Sequence, residues 1–300
     1  MADLKAREKK ELLFKLINEL ESDNKKQIIE LISSVINDKF DSNGNYRDEI
    51  AELYNNIFFD KISEKEIIID AYKLDIKNVK STIILLKSNG MFDFENMEDP
   101  EAVMEMLVSA VESKDGQNYI IPVGYDYVAI IYETDGEDDA EEFSMAVSLS
   151  LLDEFGLNMA VGISSPYFNI KDAQAAYAEA ETALLAGNSI IGDSSVYRYE
   201  RLGLAKIVYQ MTQEQCVRFV NEVFTPETQK ELENKEMLES INMFFKYNLN
   251  TSVTAREMYV HRNTVVYRIE KFNKISGYDL LDFENAALVR FALMVRRKII

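Results

Sequence analysis

One short stretch, residues 250–277, carries the side chains with the most specific chemistry. It holds the only histidine of the chain, His261, followed directly by Arg262 and Asn263. Arginine can pair bidentately with guanine and asparagine with adenine, so these two side chains suit the reading of base edges. Hydroxyl and cationic groups further along suit phosphate oxygens. We therefore predict a DNA-binding set consisting of His261, Arg262, Asn263, Thr264, Tyr267, Arg268, Lys271 and Lys274.

Two roles are open for His261, which directly precedes Arg262. Its ring can approach the DNA, or it can stabilise a turn through a hydrogen bond. A nucleophilic pair with the single cysteine, Cys216, would require residues of two separate helical segments to meet. One cysteine and one histidine are also too few for the three or four protein ligands of a zinc site. We predict no catalytic residue, no metal site and no cofactor.

Two acidic segments imitate metal sites without completing them. Residues 41–52 run from Asp to Glu at the length of a calcium loop, but Tyr46 stands where that loop needs glycine. A plain turn is the prediction there. The run DGEDDAEE, residues 135–142, predicts the solvated start of a helix, where carboxylates complement the helix dipole.

A basic tripeptide, Arg296-Arg297-Lys298, follows an apolar helical pattern near the end of the sequence. Cations are favoured at a helix C-terminus, and they also suit phosphate groups. Both interpretations stay open on the sequence alone.

The elements that would position the DNA-binding set form a helix-turn-helix. Ser252 or Thr251 can cap a short first helix, and the small Ala255 suits a close helix crossing. A second helix begins near Arg262 and ends at Gly277. One face of this second helix is an apolar stripe made of Val265, Ile269, Phe272 and Ile275. Such a helix can lie in the major groove with its N-terminal residues at base edges.

The region from about 60 to 205 alternates between strand and helix patterns. The order is β-α-β-β-α-β, followed by a further helix and strand. This order predicts the ferredoxin-like split βαβ arrangement. The predicted strands are 80–86, 119–123, 127–132, 157–164 and 195–199, and the predicted helices are 100–114, 138–155 and 172–186.

Residues 1–58 are predicted as helical, with a loop at 40–46 and a shorter helix from Arg47. Two amphipathic helices bury too little surface to fold alone, so they should pack on the next domain or on a second copy of the chain. Dimerisation is the expected role.

Bulk composition is that of a globular protein of about two domains, with 47% hydrophobic residues in 300. No apolar stretch long enough for a membrane span and no signal peptide is evident, and one cysteine fits a reducing compartment, so we expect a cytoplasmic location. The net charge is −19, yet residues 241–300 carry ten Lys and Arg against five Asp and Glu. This basic block predicts a different partner for the C-terminal part.

These motifs resemble the PucR/CdaR family of bacterial transcriptional regulators. The matching C-terminal residues are Ala255, Met258, Val260 to Thr264, Val265, Tyr267-Arg268, Gly277 and Asp279-Leu280. The run GLNMAVGISSPYFNIKDAQAAYAEAETALLAG, with YRYERLGLAKIV after it, is similar to the degenerate GGDEF-like domain that precedes the helix-turn-helix in that family. The resemblance implies a sequence-specific regulator that binds operator DNA as a dimer or higher oligomer under control of a small-molecule effector. Tyr259 departs from the general pattern, in which many turns carry glycine.

Two other classes of function compete with a regulator. A nucleotide cyclase would need metal-binding carboxylates and a Gly-Gly turn, but the hairpin reads Val123-Gly124-Tyr125-Asp126-Tyr127 and the first strand has no Asp. We therefore predict that the protein is not an enzyme. A protein-interaction module that has lost DNA binding is the second alternative, and it need not retain the R-N-T-x-x-Y-R surface.

The predicted architecture is α+β and has four parts. They are an N-terminal helical segment (1–58), a degenerate GGDEF-like, ferredoxin-like domain (59–205), a helical linker (206–234) and an all-α helix-turn-helix domain (235–300).

Overall fold

A computed structural model describes residues 46–88, 100–124, 127–134, 136, 138–192 and 194–299. The helices predicted within residues 1–40 and nearly all of the 40–46 loop lie outside the described residues. Contacts divide the chain into two compact units. One holds the described residues up to Leu184 together with Ser195–Glu200, and the other holds Leu185–Ser194 and the residues from Arg201 onward.

The first unit is built on one five-stranded sheet. Its elements are helix α1 (Tyr46–Phe58), helix α2 (Glu64–Lys73), strand β1 (Ser81–Ser88), helix α3 (Pro100–Glu112), strand β2 (Tyr119–Val123), strand β3 (Tyr127–Glu133), helix α4 (Asp139–Phe155), strand β4 (Met159–Ile163), helix α5 (Ala173–Ala186) and strand β5 (Val196–Arg198).

The strand order β2-β3-β1-β4-β5 confirms the predicted ferredoxin-like arrangement. The first four strands pair antiparallel, with Ile83 opposite Ile131 and Leu86 opposite Val161. The fifth strand adds parallel to β4. Every predicted strand in this region is present, because each is a short apolar run bounded by turn residues.

One sheet face forms a core under α3 and α4. Ile84 and Leu86 of β1 are fully buried there beside Leu107 of α3 and Leu151 of α4. Burying one such side chain stabilises the fold by about 1.5–3 kcal/mol, so this layer supplies much of the unit's stability.

The opposite face is covered by α5 and by α1, whose Ile50, Leu53 and Ile57 are buried. Phe58 of α1 stacks on Tyr177 of α5 with ring centroids 4.4 Å apart. Asn55 donates a hydrogen bond from Nδ2 to the carbonyl of Pro122 in the edge strand β2, at 3.1 Å. Helix α1 therefore packs as a layer of this unit.

The second unit is helical. A π-helical turn (Gly187–Ile191) is followed, after β5, by α6 (Ala205–Gln210), α7 (Gln213–Val223), α8 (Pro226–Glu231), α9 (Lys235–Lys246), α10 (Thr251–Glu257), α11 (Arg262–Ser276) and α12 (Phe283–Ile299). The stretch predicted as a linker holds α6, α7 and α8, and Phe219 of α7 packs edge-on against Phe291 of α12, 5.4 Å between centroids.

Candidate nucleic-acid interface

Helices α10 and α11 form a helix-turn-helix. The N-cap of α10 is Asn250, whose side-chain oxygen accepts from the backbone N–H groups of Ser252 and Val253 at 3.0 and 3.1 Å. The prediction that Ser252 or Thr251 caps this helix is therefore wrong. Asn250 caps the helix instead, because its side-chain carbonyl accepts from two otherwise unpaired backbone amides at once.

The turn between the helices passes through Tyr259, which has a φ of 55° in the left-handed region. The amide of Tyr259 donates to the carbonyl of Arg256, and that of Val260 to the carbonyl of Ala255. Tyr259 thus occupies the position after a helix C-terminus where glycine is usual, which is the physical reason that many such turns carry glycine.

His261 is the N-cap of α11. Its Nδ1 accepts a hydrogen bond from the backbone N–H of Asn263, at 3.2 Å. Because Nδ1 acts as an acceptor, the proton of the neutral ring belongs on Nε2, and the residue is exposed. Of the roles open on the sequence, the turn-stabilising hydrogen bond is present.

The apolar stripe of α11 is buried and orients the helix. Val265, Ile269 and Phe272 are at most 5% exposed, and Ile275 is half-buried. Ala255 of α10 is also buried where the two helices meet, so the spacing of apolar residues fixes which face of α11 points outward.

The outward face carries most of the predicted DNA-binding set. Arg262, Asn263 and Lys274 are exposed, Tyr267 is 65% exposed, and Thr264 is half-buried. Arg262 and Asn263 occupy the first two positions of the helix, directly after its cap. A duplex could therefore meet both side chains together with the positive end of the helix dipole.

Two members of the set point toward protein. The guanidinium of Arg268 donates to Ser240 Oγ at 3.0 Å and pairs with the carboxylate of Glu236 on α9. Lys271 pairs with Glu231 of α8 at 2.5 Å. These ion pairs, and a 3.4 Å hydrogen bond from Thr228 Oγ1 to the Ile275 carbonyl, attach α8 and α9 to one side of α11.

Sequence reasoning missed Glu231 and Glu236 as partners of α11. They lie in the polar stretch 227–236, about 30 to 40 residues before their cations in the sequence. The only available signal was the acidic character of that stretch beside a basic helix, and it does not specify which charges meet.

Two residues of the basic tripeptide in α12 donate hydrogen bonds to the ends of other elements. Arg297 donates to the carbonyls of Ile190 and Ile191 at the end of the π-helical turn. Lys298 donates to the carbonyls of Val208, Tyr209 and Met211 at the end of α6. Burial lowers the pKa of Arg296. Arg297 and Lys298 therefore bond to the ends of other elements, which neither sequence interpretation specified, and a phosphate role for the tripeptide stays a prediction.

The other candidate sites give no chemistry among the described residues. Cys216 is fully buried in α7. Within the acidic run, Asp138 and Glu141 lie 2.9 and 3.7 Å from the guanidinium of Arg198. No group of three metal-binding side chains occurs in the part of the chain that the structure describes. No helix among those residues is long and apolar enough to span a membrane.

Helix α10, the tight turn at Tyr259 and the amphipathic helix α11 with its exposed N-terminus are the elements of a helix-turn-helix domain. More particularly, residues 237–295 match the PucR C-terminal helix-turn-helix domain, and residues 79–186 match the GGDEF-like domain. The chain thus carries both domains, which confirms the resemblance to PucR/CdaR-type transcriptional regulators.

Three similar proteins have names that describe regulators. The chain is 28% identical over 159 residues to the purine catabolism regulatory protein of Bacillus subtilis (53% of this chain, 29% of the relative). It is 22% identical to the proline-responsive transcriptional activator PutR of B. subtilis (79% and 59%) and 22% identical to the carbohydrate diacid regulator of Escherichia coli (74% and 58%). The chain therefore spans between 29% and 59% of their lengths.

Among solved structures, the chain resembles a regulator of polyketide synthase expression from Bifidobacterium adolescentis. The TM-score is 0.42 at 16% identity, covering 86% of this chain and 95% of that one.

Proposed function

We propose that the protein is a sequence-specific DNA-binding transcriptional regulator controlled by a small-molecule effector. The observation that carries the proposal is the pairing of exposed Arg262 and Asn263 at the start of a capped helix whose opposite face is buried. Arginine and asparagine are the side chains best suited to guanine and adenine edges, and this position brings them to a major groove.

The remaining exposed residues have positioning roles in this proposal. Thr264, Tyr267 and Lys274 contact phosphates, while His261 caps the helix and presents its Nε2–H to the DNA. The DNA-contact role of Arg268 and Lys271 stays a prediction, since each would have to leave its acidic partner. Two copies of the chain would place two such helices in successive major grooves, as the symmetry of a dimer requires.

The GGDEF-like unit serves sensing or assembly in this proposal and has no catalytic role. The β1 strand, STIILLKS, has no carboxylate, whereas a cyclase holds its metal ions with carboxylates. An effector would act by binding one arrangement of the two DNA-binding units better than another.

The test is affinity selection of fragmented genomic DNA from the source organism, followed by sequencing. Wild type is compared with Arg262→Ala/Asn263→Ala. A matched control, Arg218→Ala/Asn221→Ala, removes an exposed arginine and asparagine from α7 instead. All proteins are first shown to be folded by circular dichroism.

A regulator enriches a few sites, which disappear with the α11 variant and remain with the α7 variant. The genes beside those sites then nominate effectors. Folded wild-type protein that enriches nothing, with or without those candidate metabolites, would support an interaction module instead.

A further inference from the structure

Tyr259 combines an unusual backbone with an unusual degree of exposure. Its φ of 55° is one that side chains of L-residues seldom adopt, and its side chain is 96% exposed. A β-turn or helix end of this kind is satisfied most easily by glycine or asparagine. A large aromatic ring here therefore gains nothing from packing that would offset its unfavourable backbone conformation.

Unfavourable backbone conformations persist mainly where a side chain is needed for function. Among the residues that the structure describes, no buried contact or side-chain cap involves Tyr259, and backbone hydrogen bonds hold the turn. These bonds run from the Tyr259 amide to Arg256 and from the Val260 amide to Ala255. Glycine could make both of them.

The position of Tyr259 relative to the proposed base-reading residues is fixed by the chain. Arg262 follows Tyr259 by three positions along the chain, so their Cα atoms lie at most about 11 Å apart. The major groove is about 12 Å wide and is walled by phosphates. When Arg262 contacts a base edge within the groove, the turn that holds Tyr259 lies beside the phosphates that border the groove.

We propose that Tyr259 is a further DNA contact, whose phenol hydroxyl donates a hydrogen bond to a backbone phosphate beside the bases read by Arg262. The contact rests on the proposed DNA-binding function and deepens it. Because every DNA sequence has the same phosphates, this hydrogen bond strengthens binding to all sequences equally. Because the hydroxyl is uncharged, it releases no counterions and leaves the salt dependence unchanged.

The test uses the full-length chain and two duplexes, one retained in the genomic selection and one with its sequence scrambled. Tyr259→Phe removes the hydroxyl, and Tyr259→Gly removes the ring while relaxing the turn. Asn248→Gly is the matched control, since Asn248 is also exposed and has a φ of 52°. Thermal unfolding of each variant separates stability from binding.

We expect Tyr259→Phe to weaken binding to both duplexes by a similar factor of roughly ten to a hundred, the value of one hydrogen bond to a charged group. Tyr259→Gly should weaken binding at least as much without lowering the unfolding temperature. Asn248→Gly should bind as wild type does, and the slope of affinity against salt should not change in Tyr259→Phe.

Wild-type affinity in both Tyr259 variants would overturn the contact and leave the proposed function intact, provided Arg262→Ala still loses the selected duplex. Loss confined to the selected duplex would overturn the phosphate assignment in favour of a base contact. Failure of wild type to prefer the selected duplex would overturn the proposed function and this contact with it.

Discussion

At the scale of single residues, the two ring nitrogens of imidazole explain why a histidine stands at the start of α11. An imidazole can accept the Asn263 amide through Nδ1 and still present an N–H on its other side. Serine or asparagine could cap the helix equally well, but neither would project a donor as far from the cap.

Substitutions of His261 therefore test its capping role through their effect on stability. His261→Ala should lower the free energy of unfolding by about 1 kcal/mol, the usual cost of losing an N-cap. His261→Asn should keep most of that stability, because its side-chain oxygen can take over the cap. Urea unfolding of both variants measures the difference, and equal losses in the two would contradict the capping role.

Glu181 of α5 gives a prediction about pH. Burial raises the pKa of its carboxyl above the ordinary value of 4.5, and nearby Lys87 only partly opposes this. The folded state therefore holds the proton to a higher pH than the unfolded state. The stability contributed by the protonated group is complete below pH 4.5 and is lost as the pH rises through the folded value.

Glu181→Gln should accordingly match wild type in urea unfolding near pH 4 and exceed it near pH 7.5. Glu154→Gln, at an exposed position of α4, is the control and should show no such widening gap. A constant difference between wild type and Glu181→Gln at both pH values would refute the assignment.

At the scale of elements, α5 packs on β4 through Gly162. A Cβ at this position would lie 2.0 Å from the Ala180 carbonyl oxygen and 2.5 Å from the Leu184 amide nitrogen. Gly162→Ala must therefore push the helix away from the sheet. We expect a loss of about 3 kcal/mol or more in calorimetry, at the upper end for overpacked cores. Gly136→Ala, where a Cβ meets nothing closer than 3.8 Å, should be nearly neutral.

Helix α11 depends on its neighbours through Arg268. The hydrogen bond to the fully buried Ser240 contributes more than the ion pair, because Glu236 is largely exposed and solvent screens it. Arg268→Ala should lower the free energy of unfolding by about 1–2 kcal/mol. A variant as stable as wild type that loses DNA affinity would identify Arg268 as a direct contact instead.

The bounds of these elements could be predicted from the sequence, whereas the partners of their side chains could not. The strands of the sheet and the bounds of α11 could be predicted because local patterns, such as Val265-Ile269-Phe272 and the closing Gly277, determine them. The partners of Arg268 and Lys271 could not, because they come from other helices. The Asn250 cap was missed because three adjacent polar residues offered equally good chemistry.

At the scale of the whole molecule, the charge is uneven. The total of −19 contrasts with +5 on residues 241–300, so a polyanion is repelled except where the basic block faces it. Of the lysines in that block, Lys271 is paired with Glu231, which lies outside the block, whereas Lys274 is exposed on the outward face of α11.

The salt dependence of DNA binding should separate these two lysines. Lys274→Ala should reduce the slope of log affinity against log salt by about 1, the value of one phosphate contact. Lys271→Ala should leave the slope unchanged, because its charge is balanced within the protein. Fluorescence anisotropy over a salt series measures both, and equal reductions would mean that Lys271 exchanges Glu231 for a phosphate.

The edge strand β2 has a consequence for the behaviour of the protein at high concentration. Pro122 has no N–H to offer a neighbouring strand, and Asn55 of α1 already occupies its carbonyl. Unpaired edge strands are where sheets of different molecules join into aggregates, and proline with a covering helix is a known protection. This edge therefore resists strand-to-strand aggregation, and Asn55→Ala should partly remove that resistance by freeing the carbonyl.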